Sequence, residues 1–245
     1  INWARVAAQS VYFAQAQAQL GRDRNIRFVV PTGNFGDALA AYVASRCGLL
    51  ASFDVVAAVN ANDAMARLIA GLPLKKGATA ATISPAMDIQ LPSNFERLLF
   101  EAAGRDGAGV ANAYAQLANT GEAPLPKAAV AKLGSMGLSA ERVSDHETIE
   151  EMKRTHADTG WVVCPHTAVG LAAARRGRHA DGPVVSLATA HAAKFPETVK
   201  QALGIDAGLP DRARAFTSKP EKFDTGPMSA DFVRQRVDAI VAKAS

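Results

Sequence analysis

The chain has 245 residues, 49% of them hydrophobic and 20% charged, with a net charge of +4; this is ordinary globular composition, with enough material for one large domain or two small ones. The basic residues are scattered, as at Lys75-Lys76 and Arg175-Arg176-Gly177-Arg178, with few aromatics among them. That argues against the concentrated basic stripe of a nucleic-acid surface, and the Arg175 cluster reads as a solvated helix end. Neither a membrane span of roughly 18 apolar residues nor a signal-peptide pattern is read, and Cys47 and Cys164 stand far apart, so the expectation is a cytoplasmic protein with no nucleic-acid or membrane partner.

In chain order, Trp3 to Leu20 carries apolar residues at helical spacing and stops at Gly21, a buried helix. The chain begins with Ile1-Asn2-Trp3 rather than Met and enters this helix at once; it is expected to be the middle of something longer. Ile26 to Val30 reads as a strand, Asp37 to Cys47 as a helix ended by Gly48, and Phe53 to Val59 as a second strand. Asn60-Ala61-Asn62-Asp63 offers N-cap residue types for a helix to about Ala70. Strand, loop, helix, strand, helix is the signature of a parallel sheet with covering helices.

The regularity breaks from Ala78 to about Lys132, where Pro85, Pro92, Pro124 and Pro126 interrupt the pattern and one clear helix runs from about Asn94 to Gly104. Ser144 followed by Glu147 is a capping box for a helix to about His156. The stretch from about 78 to 160 therefore reads as a mostly helical insertion. Trp161 to Cys164 is expected to resume the sheet, Thr167 to Arg176 to be a helix, Pro183 to Leu187 another buried strand, and Glu197 to Leu203 a helix. From Gly204 the chain reads as loop-rich, ending in a helix from Ala230 to Ala244. The fold class is α/β, a three-layer parallel sheet with flanking helices and that insertion.

Four stretches could carry chemistry. In Pro31-Thr32-Gly33-Asn34-Phe35-Gly36-Asp37, two glycines between a strand and a helix let backbone N–H groups approach an anion, and the helix start adds its own free N–H groups. Neither the dinucleotide fingerprint nor the Walker pattern fits. The residues alone leave two readings open, an anion cradle or a plain turn capped by Asp37. In Ser186 to Pro196, Thr189 stands at a strand end and could offer its hydroxyl to a ligand ring, or bond its own backbone; His191 reads as a structural donor. In Cys164-Pro165-His166-Thr167, Thr167 reads as an N-cap, and one Cys with one His makes a poor metal site or dyad. Asn2 and Arg5 share one face of a helix start, where Arg can grip an oxyanion, or simply face solvent. Three of the four lie at strand ends along one edge of the sheet, and so could line a single cleft.

The motifs INWAR, PTGNFGD, VNANDAM, SPAMDI, SNFERLLF, PHTAVGLAAA and TAHAAKFPE, in this order from Ile1 to about Thr198, resemble the C-terminal portion of the threonine synthase family. These are pyridoxal-phosphate (PLP) enzymes of the tryptophan-synthase-β-like fold type II. The resemblance implies the conversion of O-phospho-L-homoserine and water to L-threonine and phosphate. It implies that Gly33, Asn34, Phe35, Gly36 and Asp37 bind the PLP phosphate and that Thr189 meets the pyridine nitrogen. It further implies that Asn2 and Arg5 help hold the substrate's phosphate.

The family usually has Asp where Cys164 stands and Pro where Ala192 stands. Its Schiff-base lysine lies well upstream of the glycine loop, whereas no Lys occurs here before Lys75. The expectation is therefore that residues 1–245 are the C-terminal part of the catalytic region, without the N-terminal domain and the lysine segment, and inactive alone. Two alternatives remain: another fold-type-II PLP enzyme (a dehydratase or β-replacement enzyme), or a non-catalytic phospho-ligand-binding homologue.

Overall fold

The computed structural model describes residues 2–177, 182–217 and 219–244; Ile1 and Arg178 lie outside them. The chain divides into two compact units, Ile1–Ala207 and Gly208–Ser245.

In the first unit, helix α1 (Trp3–Leu20) is capped by Asn2, whose Oδ1 accepts from the Ala4 amide at 2.8 Å. Its inner stripe includes Val6 and Phe13, and the Phe13 ring meets Phe28 edge-on at 5.0 Å. Strand β1 (Arg27–Pro31) leads into α2 (Gly36–Arg46), and β2 (Val55–Val59) into α3 (Ala64–Ile69). The two strands are parallel, with Phe28 beside Val55 and Pro31 beside Ala58.

The excursion that follows contains β3 (Leu74–Lys75), α4 (Phe95–Ala102), α5 (Gly107–Thr120), β4 (Glu122–Ala123), antiparallel to β3, and α6 (Lys127–Leu133). The chain then returns through β5 (Leu138–Arg142), α7 (Asp145–Thr159), α8 (Pro165–Arg176), β6 (Val184–Ser186) and α9 (Pro196–Leu203). The sheet order is β5-β2-β1-β6, all parallel.

Alternation along the strands divides the core into two slabs. Phe28, Val30, Val55 and Val59 pack with α1 and α2; Val29, Val56 and Ala58 pack with Val169, Ala172 and Ala173 of α8. Helices thus cover both faces, which is why β2 (VVAAV) is buried throughout instead of alternating polar and apolar. The second unit holds α10 (Asp211–Thr217) and α11 (Ala230–Ala244). No helix among the described residues is long and apolar enough to cross a membrane.

Several expectations are corrected. The insertion is helical in α4 to α6, but β5 inside it is a full member of the central sheet, paired along β2 from Leu138 to Arg142. Its sequence, LSAER, has one buried apolar residue and little strand propensity; the free edge of β2 places it. Two helices of the insertion were missed. α5 opens on two glycines and is capped by Asp106, whose Oδ1 accepts from the Gly109 amide at 2.9 Å, and α6 starts behind Pro126.

Trp161 to Cys164 is not a strand: it makes no ladder, Trp161 is exposed, and Val162 and Val163 pack on the cluster between α7 and α9. β6 is a half-buried edge strand, shorter than expected. α10 lies in the tail read as loop. The Arg175 cluster is more than a solvated end, since Arg175 pairs with buried Glu151 at 2.8 Å and Arg176 with Glu147, tying α8 to α7.

Candidate functional site

Three of the four stretches, and part of the fourth, line one cavity of about 450 Å³ at the carboxyl ends of β1 and β6. Asn2, Arg5, the Gly33–Asp37 turn, His166 and Thr189 all contribute to it. Ligands of open α/β sheets collect at this edge.

The turn after β1 is the centre of the site. Phe35 has φ 64°, in the left-handed region that costs an ordinary residue about 1 kcal/mol or more. Packing holds it there: its buried ring meets Phe95 of α4 edge-on at 5.9 Å. Asn34 is clamped from the same segment. Its carbonyl accepts from the Asn94 amide at 3.1 Å and Nδ2 at 3.0 Å, and its Oδ1 accepts from the Ser93 hydroxyl at 3.2 Å. Arg97 donates to Asn94 and stacks over Trp3, 4.6 Å from the ring centroid, linking the clamp to the start of α1.

The consequence is a row of free donors. Among the described residues, the backbone amides of Gly33, Asn34, Phe35, Gly36, Asp37 and Ala38 donate to no protein acceptor; the first amide of α2 with one is Leu39, to the Phe35 carbonyl at 3.0 Å. The first amides of any helix lack an intrahelical acceptor; here the row also takes in the turn before α2, and Phe35 and Ala38 are buried residues. A left-handed residue beside helical ones, at a helix N-terminus, forms an anion-binding concavity. Asp37 does not cap α2: the N-cap is Phe35, with no side-chain bond.

The two glycines differ. A Cβ on Gly33 would sit 2.4 Å from the Ala86 carbonyl oxygen and 3.1 Å from the Met87 Cα, so Gly33 is needed for backbone packing. A Cβ on Gly36 would meet only Gln9 Oε1 at 3.6 Å and Asn94 Nδ2 at 3.7 Å, ordinary contacts.

The turn bearing Ala86 is held by a polar network that the sequence did not reveal. Asn60 Nδ2 donates to Thr82 Oγ1 at 2.8 Å, Ser84 Oγ at 3.0 Å and Asp88 Oδ1 at 2.7 Å, while Asn62 Nδ2 donates to Asp88 Oδ1 at 2.9 Å. Asn60 and Asn62 therefore knit this segment rather than cap α3, whose N-cap Asp63 makes no cap bond.

On the far side, Thr189 donates its amide to Thr167 Oγ1 at 3.3 Å, and its own hydroxyl has no partner among the described residues. The helix α8 begins at Pro165 with Cys164, not Thr167, as the N-cap: Cys164 Sγ accepts from the Thr167 amide at 3.4 Å and meets its hydroxyl at 3.2 Å. The thiol takes the acceptor role for which Asp is usual at such a position. His191 accepts, through Nδ1, from the Ala193 amide at 3.1 Å, an end-cap rather than the donor expected. Asn2 and Arg5 are both exposed at the rim, and Asn2 already uses Oδ1 as a cap.

Two lining groups were not among the predicted site residues: Lys194, and His166, weighed only as half of a poor metal site or dyad, whose buried ring packs at a 45° tilt against Phe195 at a centroid distance of 4.6 Å. His166 Nε2 accepts from the Ala86 amide at 3.1 Å, leaving the proton on Nδ1. Burial first, then the charge of Lys194, lowers its pKa to about 4, against the pull of Asp88. Burial likewise raises the Asp37 carboxyl, with Arg5 and a Gln9 hydrogen bond opposing.

The histidine has a measurable consequence. Between about pH 6.5, where an unfolded histidine titrates, and about 4, the unfolded chain binds a proton that the folded chain refuses. Stability is therefore full above that window and falls as pH drops through it, by on the order of 2 kcal/mol once water in the cavity is allowed for. Urea midpoints taken across the window should decline in the wild-type chain and flatten in His166→Asn; parallel curves would remove His166 as the cause.

The architecture and the strand-end amide cradle define an open parallel α/β protein with an anion-binding turn at the carboxyl edge of its sheet. The PLP-bound threonine synthase of Brucella melitensis superposes with a TM-score of 0.86 at 38% identity, over 97% of this chain and 51% of that one. The yeast threonine synthase superposes with a TM-score of 0.81 at 32% identity, over 99% of this chain and 53% of that one. In sequence, the threonine synthase of Pseudomonas aeruginosa is 40% identical over 225 residues, which are 91% of this chain and 48% of that protein. A family model described as "Threonine synthase, C-terminal" matches residues 167–237. The chain belongs to the threonine synthase family, and it spans about half the length of the relatives it matches.

Proposed function

We propose that this chain is the C-terminal part of a threonine synthase, which converts O-phospho-L-homoserine and water to L-threonine and phosphate with PLP as cofactor. The observation that carries the reading is the row of six unpartnered amides from Gly33 to Ala38, open to a strand-end cavity beside a glycine whose missing side chain the protein does not replace. A cofactor with an anionic tail fits that row without needing a cation inside it. Bound PLP would supply an electron sink for the bond changes of the reaction.

The chain's own residues divide the remaining work. The amides hold the cofactor's phosphate in a fixed field that needs no rearrangement on binding. Thr189, with its free hydroxyl, is the partner for the ring nitrogen, and a neutral group there does not hold that nitrogen protonated as a carboxylate would. Arg5 and the Asn2 carboxamide NH₂, both at the cavity rim, meet the substrate's phosphate. The amine that holds PLP covalently is not among these residues, since no Lys precedes Lys75; it belongs to the part of the family's sequence this chain does not span.

The test has two arms. Purified chain titrated with PLP should bind it reversibly, in competition with inorganic phosphate, and borohydride should fix none of it to a lysine. Mixed with the polypeptide corresponding to the other half of a relative, the chain should release threonine and phosphate from O-phospho-L-homoserine, while alone it should release neither. A lysine adduct on this chain, or turnover by it alone, would overturn the division of labour; PLP uptake indifferent to phosphate would overturn the cradle.

A further inference from the structure

We propose that Lys194 forms, with Arg5, the subsite for the phosphate of the substrate, a phosphate monoester dianion. The inference rests on the functional reading above and adds a residue to it.

Lys194 ends a single helical turn, Ala192–Lys194, whose backbone is tied on both sides. His191 accepts the Ala193 amide through Nδ1 and the Lys194 amide through its carbonyl, both at 3.1 Å, and the buried Ala192 anchors the turn below. Beyond it, Phe195 packs at a tilt against His166, and Pro196 begins α9. The stem of Lys194 therefore leaves a fixed platform at the cavity wall.

The charges around it leave that ammonium without a protein partner. Lys75 and Lys153 pair with Glu122 and Glu150, but among the described residues neither Lys194 nor Arg5 makes an ion pair within 4.0 Å. Asp37 is the one carboxyl lining the cavity among the described residues, and burial raises its pKa; His166, beside Lys194, stays uncharged at neutral pH. The cavity thus presents a row of amides and two cations without an ion pair within 4.0 Å, against the single carboxyl of Asp37, which lies in the field of Arg5. An unpaired surface lysine is commonplace; one on a rigid platform, facing a cavity with a second unpaired cation, is not explained by solvation alone.

Position assigns the anion. The amides of Phe35 and Ala38 are on buried residues, whereas Arg5 and Lys194 are exposed. An anion that stays, the cofactor's, suits the inner row. One that arrives and departs with each turnover, the substrate's phosphate, suits the rim. A dianion is met there by two cations, and Lys supplies a rotatable point charge that fits a tetrahedral group in either its esterified or its released form.

The experiment is a calorimetric titration of the PLP-saturated chain with inorganic phosphate, in wild type, Lys194→Met and Lys194→Arg. Lys194→Met should weaken phosphate about tenfold, the loss of one charge-assisted contact, Lys194→Arg should restore most of it, and PLP affinity should be the same in all three. Unchanged phosphate affinity in Lys194→Met, or a loss of PLP affinity in its place, overturns the proposal. If wild type takes up no PLP, the functional reading fails by itself. The same titration on a Gly36→Asp background, with the inner row blocked, then still decides whether rim binding depends on Lys194.

Discussion

Gly33→Ala should lower the unfolding free energy by about 3 kcal/mol, the upper end of what overpacking costs, and should weaken PLP binding with it. The added methyl would run into the backbone of the Ala86 turn, 2.4 Å from the Ala86 oxygen and 3.1 Å from the Met87 Cα. A flexible side chain could rotate away; these atoms cannot. Relief requires moving either the turn after β1, which Asn94 and Ser93 clamp, or the Ala86 turn, which Asn60 and Asp88 hold from beneath. Either movement breaks these hydrogen bonds and shifts the amides out of alignment. Urea denaturation and PLP titration of the same preparation read both effects. A variant with the wild-type midpoint would mean that this contact is not a constraint on the fold.

Gly36→Asp should do the reverse, leaving the urea midpoint within about 0.5 kcal/mol of wild type while reducing PLP affinity roughly a hundredfold or more. The new Cβ meets nothing closer than 3.6 Å, and an acidic group in the first turn of a helix is favourable to the helix itself. The same carboxylate stands where a dianion must bind and competes for the same N–H groups. The pair of variants separates two uses of glycine that look identical in the motif, one serving the fold and the other the ligand. Should Gly36→Asp retain PLP at wild-type affinity, the anion does not lie against this row of amides.

How far the residues could be read depended on whether local pattern or distant contact decided the structure. α1, α2, β1, β2, α7 and α11 were legible, because each has a run of apolar residues at one clear period or a capping box such as Ser144 with Glu147. β5 was not. LSAER is polar on its outer face and gains strand geometry only by completing the free edge of β2. The run Trp161–Cys164 erred in the opposite direction: its apolar residues suggested a strand, yet Val162 and Val163 pack on the cluster between α7 and α9 while Trp161 is exposed. The motif around Gly33 was visible as a turn between strand and helix, but which glycine faces a neighbour and which faces space depends on the Ala86 turn, more than fifty residues away in sequence.

By itself, the amino-acid order determined the class of fold, the strand-to-helix turn with its glycines, and a kinship to threonine synthases, since apolar periodicity and short motifs are local properties. Tertiary structure decided the rest. It brought Arg5, Lys194, His166 and Thr189 to one cavity, held Phe35 in a left-handed conformation through Phe95, and left six successive amides without an acceptor. The physical reason is that an unmade hydrogen bond or an unpaired charge is a statement about what is not nearby, and nearness across the fold is written only in three dimensions.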